Sequence, residues 1–151
     1  MKPTTLLFLR RDDRILLAMK KRGFGVGKWN GVGGKVQPNE TVLEAAIREC
    51  EEEIMVTPNN LRLAGEIHFF DLPDVEHYCY VHTTNDWLGK PQESEEMKPR
   101  WFVETDIPYS EMWPDDTIWM PMLLAGTLFK GSVVVENNSV VTCDIAEVTT
   151  L

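Results

Sequence analysis

Gly34–Val56 reads GKVQPNETVLEAAIRECEEEIMV, and the spacing of its charges decides what the rest of the chain must be built around. At about 100° per residue, Glu49, Glu52 and Glu53 share one sector of a helix, while Leu43, Ala46, Ile47, Cys50 and Ile54 share another on the far side. The segment is therefore an amphipathic helix carrying three carboxylates on one face. Thr41 followed by Glu44 has the form of a capping box, which satisfies orphan amide donors at the helix start. Thr57-Pro58-Asn59-Asn60 stops the helix, because proline disfavours helical geometry in the residue before it and cannot continue the ladder. Like charges three and four residues apart repel by ~0.2–0.5 kcal/mol per pair, so the three glutamates cost stability unless a cation sits among them.

An acidic run alone is an ordinary solvated face. Carboxylate oxygens at this density also suit a hard divalent ion, Mg²⁺ or Mn²⁺, which in turn brings a phosphate-bearing substrate to complete its coordination. The composition limits that substrate. Lys and Arg number 15 against 24 Asp and Glu, for a formal charge of −9, so no net positive field attracts a nucleic-acid polymer. A small phosphate ligand is expected instead, reached through metal and a few local cations. At 151 residues, 43% of them hydrophobic, the chain is expected to form one domain over 1–151 with a substantial core. The opening MKPTTLLFLR has too short an apolar run for a signal peptide, and no stretch approaches the ~20 apolar residues of a membrane span. A cytoplasmic monomer with no membrane partner is the expectation. Cys50, Cys79 and Cys143 are widely spaced and lack a Cys-x-x-Cys pair, which favours neither a disulfide framework nor a zinc site. His68, His77 and His82 alternate with apolar residues and read as strand or core histidines.

Outside the helix the pattern is mostly strands. Thr4–Arg10 and Arg14–Met19 flank a turn at Arg11-Asp12-Asp13, and Leu63–Phe70 and Val75–Thr83 flank another at Leu72-Pro73-Asp74. Lys20–Gly34 is a loop whose glycines at 23, 25, 27, 31 and 33 precede Gly34, the composition of a backbone that approaches something closely. A strand is expected at Arg100–Val103 after the polar passage Lys90–Pro99. A second helix starts at a cap on Asp115 or Asp116 and runs to about Leu128, with Trp119, Met120, Leu123 and Leu124 on its apolar side. Ser132–Glu136 and Val140–Glu147 close the chain as a hairpin around Asn137-Asn138. Strands with two covering helices imply a mixed sheet packed between helices.

Gly34, Glu40, Arg48-Glu49 and Glu52-Glu53, at their spacings, resemble the Nudix box, with Met55 in the slot where that family usually has glycine. The resemblance implies a Nudix α/β/α sandwich with a mixed β-sheet between helices, in agreement with the strand pattern. It also implies phosphoanhydride hydrolysis, with metal held by Glu49, Glu52, Glu53 and the carbonyl of Gly34. Either Glu53 or Glu52 would serve as general base. Arg48, four residues before Glu52, is placed to orient a carboxylate, and on spacing alone is equally an ordinary surface ion pair. Glu96 in ESEEMKPRWF resembles in position a further metal-binding glutamate.

Two more stretches, MKKRGFGVGKWNGVGGKV at 19–36 and MWPDDTIWMP at 112–121, look like members of the family that act on oxidised purine nucleoside triphosphates. That likeness implies hydrolysis of 8-oxo-dGTP and 2-oxo-dATP to monophosphate and pyrophosphate, which keeps damaged precursors out of DNA. Trp113 and Phe24 supply flat surfaces for purine stacking. Asn30 offers a donor and an acceptor, and so does the pair Asp115 and Asp116 when it shares a proton. Lys20 is placed for a phosphate or a base oxygen. Thr5 and Phe69 are candidates for the pocket wall. A generic Trp-Pro-Asp-Asp before a helix is otherwise a core aromatic and a cap. Alternative substrates are a dinucleotide polyphosphate or ADP-ribose, and a non-catalytic nucleotide sensor is the alternative outside enzymes.

Overall fold

The computed structural model describes residues 2–151. The helix foreseen in the quoted stretch is α1, Val42–Ile54, and both halves of its capping box form. Glu44 N–H donates to Thr41 Oγ1 at 3.1 Å, and Thr41 N–H donates to Glu44 Oε1 at 2.9 Å. Ala45, Ala46, Cys50 and Ile54 are buried, whereas Leu43 lies beyond the covered part of the helix and is exposed. The three glutamates do not share one environment either. Glu53 points inward at 1% exposure, and Glu52 remains at the surface.

Met55 ends α1 in the left-handed region (φ 59°, ψ 35°), its N–H donating to the Glu51 carbonyl at 3.1 Å. The left-handed exit that glycine adopts freely is thus kept by a residue that is strained there. Met55→Gly is expected to raise stability by about 0.5–1 kcal/mol, read as a higher urea midpoint. A lower midpoint would mean that the methionine side chain's packing outweighs the strain.

The strands are β1 (Lys2–Arg11), β2 (Arg14–Lys20), β3 (Trp29–Asn30), β4 (Thr57–Asn59), β5 (Arg62–Asp71), β6 (Val75–Thr84), β7 (Asp86–Leu88), β8 (Met97–Val103), β9 (Phe129–Glu136) and β10 (Ser139–Glu147). One mixed sheet runs β10-β9-β5-β6-β1-β2-β3, with β8 on β2, and β4 and β7 form a separate pair. β1–β6 and β5–β9 are parallel, and the other pairings are antiparallel. The last strand before the second helix starts at Met97, three residues earlier than Arg100, because Met97 is buried and pairs with Lys20. The second helix, α2 (Asp116–Leu124), stops short of Leu128: Gly126 turns the chain with φ 76°, and Phe129 opens β9.

Alternate residues of the central strands face opposite layers. Leu7 and Leu9 of β1 and Leu16 and Ala18 of β2 pack with Cys50 and Ile54 of α1. Phe8, Ile15 and Leu17 pack with Trp119, Met120 and Leu123 of α2. Period-two alternation sandwiched between two helices is the α/β/α arrangement expected above. Burying a side chain such as Ile54 or Leu9 in this way stabilises the fold by roughly 1.5–3 kcal/mol each.

The site is positioned by an opening in the sheet. β1 meets β2 only at Arg10–Ile15 and Arg11–Arg14, so the two strands diverge below their hairpin. The freed edge of β1 is taken by the glycine-rich segment. Leu7 bridges Val32, Thr4 bridges Lys35, and Thr5 N–H donates to the Gly34 carbonyl at 2.9 Å. A Cβ on Gly33 would lie 1.8 Å from the Thr5 carbonyl oxygen, so this contact admits only glycine. What the glycines approach is the backbone of β1.

Candidate active site

The close approach at Gly33 delivers its N–H to α1, where it donates to Glu53 Oε1 at 2.8 Å. Among the described residues that bond is the one hydrogen bond to a carboxylate almost removed from water. Burial pushes the Glu53 carboxyl up to about 8, with the charges of Glu49 and Glu96 adding to the shift and Gly33 and Lys20 opposing it. Burial also raises Glu49, against the pull of Arg48, and Glu52 and Glu96 repel it. Glu49, Glu53 and Glu96 therefore lie within one electrostatic neighbourhood, with Lys20 and Arg48 among its cations. Gly34 borders it directly, since a Cβ there would stand 2.6 Å from Glu49 Oε1.

Arg48 organises the rim. Its Nε and Nη2 donate to the two oxygens of Glu40 at 2.7 and 3.0 Å, and Nη1 donates to Glu49 at 3.0 Å and Glu52 at 3.2 Å. Nη2 also reaches the Lys35 carbonyl at 3.1 Å. The paired bonds it donates to Glu40 hold the guanidinium fork in one plane. Glu40 stands in the box by spacing, but only the folded chain shows it as the anchor of Arg48. Among the described residues no three carboxylate, imidazole or thiol side chains already surround a common point. Arg48 draws Glu49 and Glu52 toward itself, and Gly33 holds Glu53. The donors gathered here are hard oxygens with an excess of negative charge, and a small divalent cation fits that set.

A second cluster forms where the glycine-rich loop meets the start of α2. Phe24, 67% exposed, stacks on Trp113 at 5.2 Å and 24°, and Lys28 Nζ lies 5.0 Å from the Trp113 ring centre. The two rings expected to receive a purine thus face each other. Asp115 occupies the position before α2 but does not cap it with its side chain. Its Oδ2 instead accepts from Trp119 Nε1 at 2.9 Å, an i,i+4 contact inside the core. Trp119 itself stacks on Phe129 and meets Phe8 edge to face. Asp116, 1% exposed, keeps Oδ2 without a partner among the described residues. Burial, then the Asp115 charge, raises the Asp116 carboxyl well above the usual carboxylate range, while Lys28 opposes the shift. Asp115 is raised by burial and restrained by Trp119. Burial of both carboxyls and the repulsion between them favour a proton held by the pair.

The remaining candidates are dispersed. Asn30 sits on β3 with Oδ1 accepting from Gly31 N–H at 2.8 Å. Thr5 is buried, its hydroxyl without a partner among the described residues, and lies beside Gly34 through its backbone. Phe69 stacks on His77 at 4.9 Å, at the rim of the α2-side core. The histidines behave as strand residues: His68 pairs with Glu76, His77 meets Thr4 Oγ1, and His82 is buried. The cysteines are free, with Cys50 packed under α1. No helix among the described residues is long and apolar enough to cross a membrane.

A family model described as "NUDIX domain" matches residues 2–123. The chain is 42% identical to the oxidized purine nucleoside triphosphate hydrolase of Danio rerio, over 91% of this chain and 88% of that protein. It is 44% identical to the protein of the same name from Mus musculus, over 84% of this chain and 82% of that one. Among solved structures, a mutator MutT protein from Bacillus halodurans superposes over the full length of both chains, with a TM-score of 0.83 at 23% identity. This last likeness concerns the fold.

Proposed function

Because this chain belongs to the Nudix family, we propose that it hydrolyses oxidised purine nucleoside triphosphates, 8-oxo-dGTP and 2-oxo-dATP among them, to the monophosphate and pyrophosphate. The proposal is supported by the names and the high coverage of the zebrafish and mouse relatives. The single observation that carries the substrate class is the buried Asp115–Asp116 pair beside the Phe24–Trp113 stack, with one unpartnered carboxyl oxygen. A buried acid that keeps its proton both donates and accepts, as reading the edge of an oxidised purine requires. Asn30 supplies the second donor and acceptor, Trp113 and Phe24 the stacking surface, and Thr5 and Phe69 the wall.

Nudix hydrolases work with a divalent metal, and here Glu49, Glu52, Glu53, Glu96 and the Gly34 carbonyl would hold Mg²⁺, or Mn²⁺ in its place. Such an ion neutralises phosphate oxygens and lowers the pKa of water. Arg48 is a positioning residue, since Glu40 locks it and it in turn aims Glu49 and Glu52. Lys20, the cation nearest in charge to Glu53, faces a phosphate rather than a base. Glu53 or Glu52 accepts the proton of the attacking water. Incubation with 8-oxo-dGTP and Mg²⁺ should yield 8-oxo-dGMP and pyrophosphate in equal amounts. Release of diphosphate with inorganic phosphate would contradict this assignment.

A further inference from the structure

We propose that Arg10 of β1 is a positioning residue that fixes α2 from its C-terminal end and so sets where Asp115 and Asp116 stand; this rests on the oxidised-purine reading above. β1 turns Leu6, Phe8 and Arg10 toward α2 in one period-two row, and the first two join the apolar core there. The third is a cation, and its side chain is only 26% exposed. Its Nη2 donates to the Leu124 carbonyl at 3.1 Å and Nη1 to the Leu123 carbonyl at 3.4 Å. Nε and Nη2 also meet Glu104 Oε1, at 2.9 and 2.8 Å. Glu104 is held in turn, since its own N–H donates to the Asp13 carbonyl in the β1–β2 turn at 2.8 Å. One guanidinium thus ties the end of α2 to the frame of the sheet.

α2 has weak restraints of its own at both ends. Asp115 gives its side chain to Trp119 rather than to a cap, no basic residue of the helix stands in its last turn, and Pro121 interrupts its hydrogen-bond ladder. The last carbonyls of a helix lack partners within it and carry partial negative charge, which a cation satisfies. Arg10 supplies that cation from another element. The helix is nine residues long, roughly 13 Å at the helical rise. A unit that short moves as one body, so a shift at Leu124 is carried to Asp116 and to the bond between Asp115 and Trp119. Among the described residues, none of the hydrogen bonds of the Arg10 side chain goes to the glutamates of α1 or to the Phe24–Trp113 pair. Its influence is therefore expected in base recognition and not in the hydrolytic step.

Arg10→Met keeps an unbranched apolar stem and removes the donors. The ratio of kcat/KM for 8-oxo-dGTP to that for dGTP, taken on one preparation with Mg²⁺, does not depend on how much of the chain is folded. Arg10→Met should lower that ratio on the order of tenfold, through a raised KM for the oxidised substrate with kcat nearly unchanged. Arg10→Lys, which keeps the charge but lacks the fork that joins Leu123, Leu124 and Glu104, should recover part of the loss. Exchange of the Trp119 indole N–H, followed by NMR, reads the bond to Asp115 without any substrate. It should quicken about tenfold in Arg10→Met while the amides of α1 keep their rates. Equal losses for the two triphosphates would overturn the proposal, as would unchanged Trp119 exchange. Should Arg10→Met fail to fold, Arg10→Lys carries the same two measurements. Failure of the substrate reading is distinguishable: the parent chain then has no preference to lose, and Trp119 exchange alone decides the role of Arg10.

Discussion

Glu53→Gln is expected to lower kcat by roughly 10³-fold without lowering the urea midpoint measured in the absence of metal. The combination follows from burial. Glu53 is 1% exposed and its carboxyl is raised to about 8, so its charged form is a burden on the folded chain. Glutamine keeps an oxygen for the Gly33 N–H and removes the repulsion from Glu49 and Glu96. What it cannot supply is a negative charge for metal or a base for water. An ordinary buried structural residue would show the opposite pattern, a loss of stability with activity falling only in proportion to the folded fraction. A variant that retains kcat would remove Glu53 from the catalytic site.

The second large effect is expected from Asp115→Asn combined with Asp116→Asn, which should reduce kcat/KM for oxidised purine triphosphates by on the order of 10²-fold while the chain still folds. Asparagine has a fixed donor and a fixed acceptor, whereas a protonated carboxyl can place its hydrogen on either oxygen. Asp115 can be replaced without loss of its bond from Trp119 Nε1, because the amide oxygen still accepts. Stability should shift with pH in a defined direction. Asp116 has a folded-state pKa raised above its unfolded value near 3.8. The folded chain therefore binds more protons between those values, and the contribution is fully present below the unfolded pKa and lost as pH rises through the raised one. The double variant, which does not titrate there, should gain stability relative to the parent as pH rises through that window. Urea midpoints that keep a constant difference from acid to neutral pH would show that Asp116 ionises normally.

The first helix and the sheet core were legible because their signals are local. The capping box at Thr41–Glu44, the apolar stripe ending at Ile54 and the alternation in β1 and β2 each lie within a few residues of sequence. The chemistry of α1 was legible as a set but not as individuals. Glu52 and Glu53 differ by about 100° around the helix, and which of them enters the protein depends on where the Gly33 backbone crosses, a contact 20 residues away in sequence. Arg48 was read as a partner of Glu52, whereas its firmest bonds go to Glu40, eight residues earlier. The two-residue strand β3 and the three-residue strands β4 and β7 are too short to carry a period. Asp115 read as a cap because the residue types at a helix start are capping types. Its burial under Trp119 is a tertiary effect, although the i,i+4 spacing of the two was visible. Phe24 and Trp113 were read as two surfaces for a base, and their stack on each other depends on the path of a loop with three left-handed glycines at 23, 25 and 27.

The most direct measurement is kcat/KM for 8-oxo-dGTP against dGTP with Mg²⁺ and the unmodified chain, both reactions followed by pyrophosphate release. A preference of at least ~10²-fold for the oxidised purine is expected, the scale of discrimination that buried hydrogen-bonding groups provide. Equal values for the two triphosphates, or no pyrophosphate from either, would contradict it.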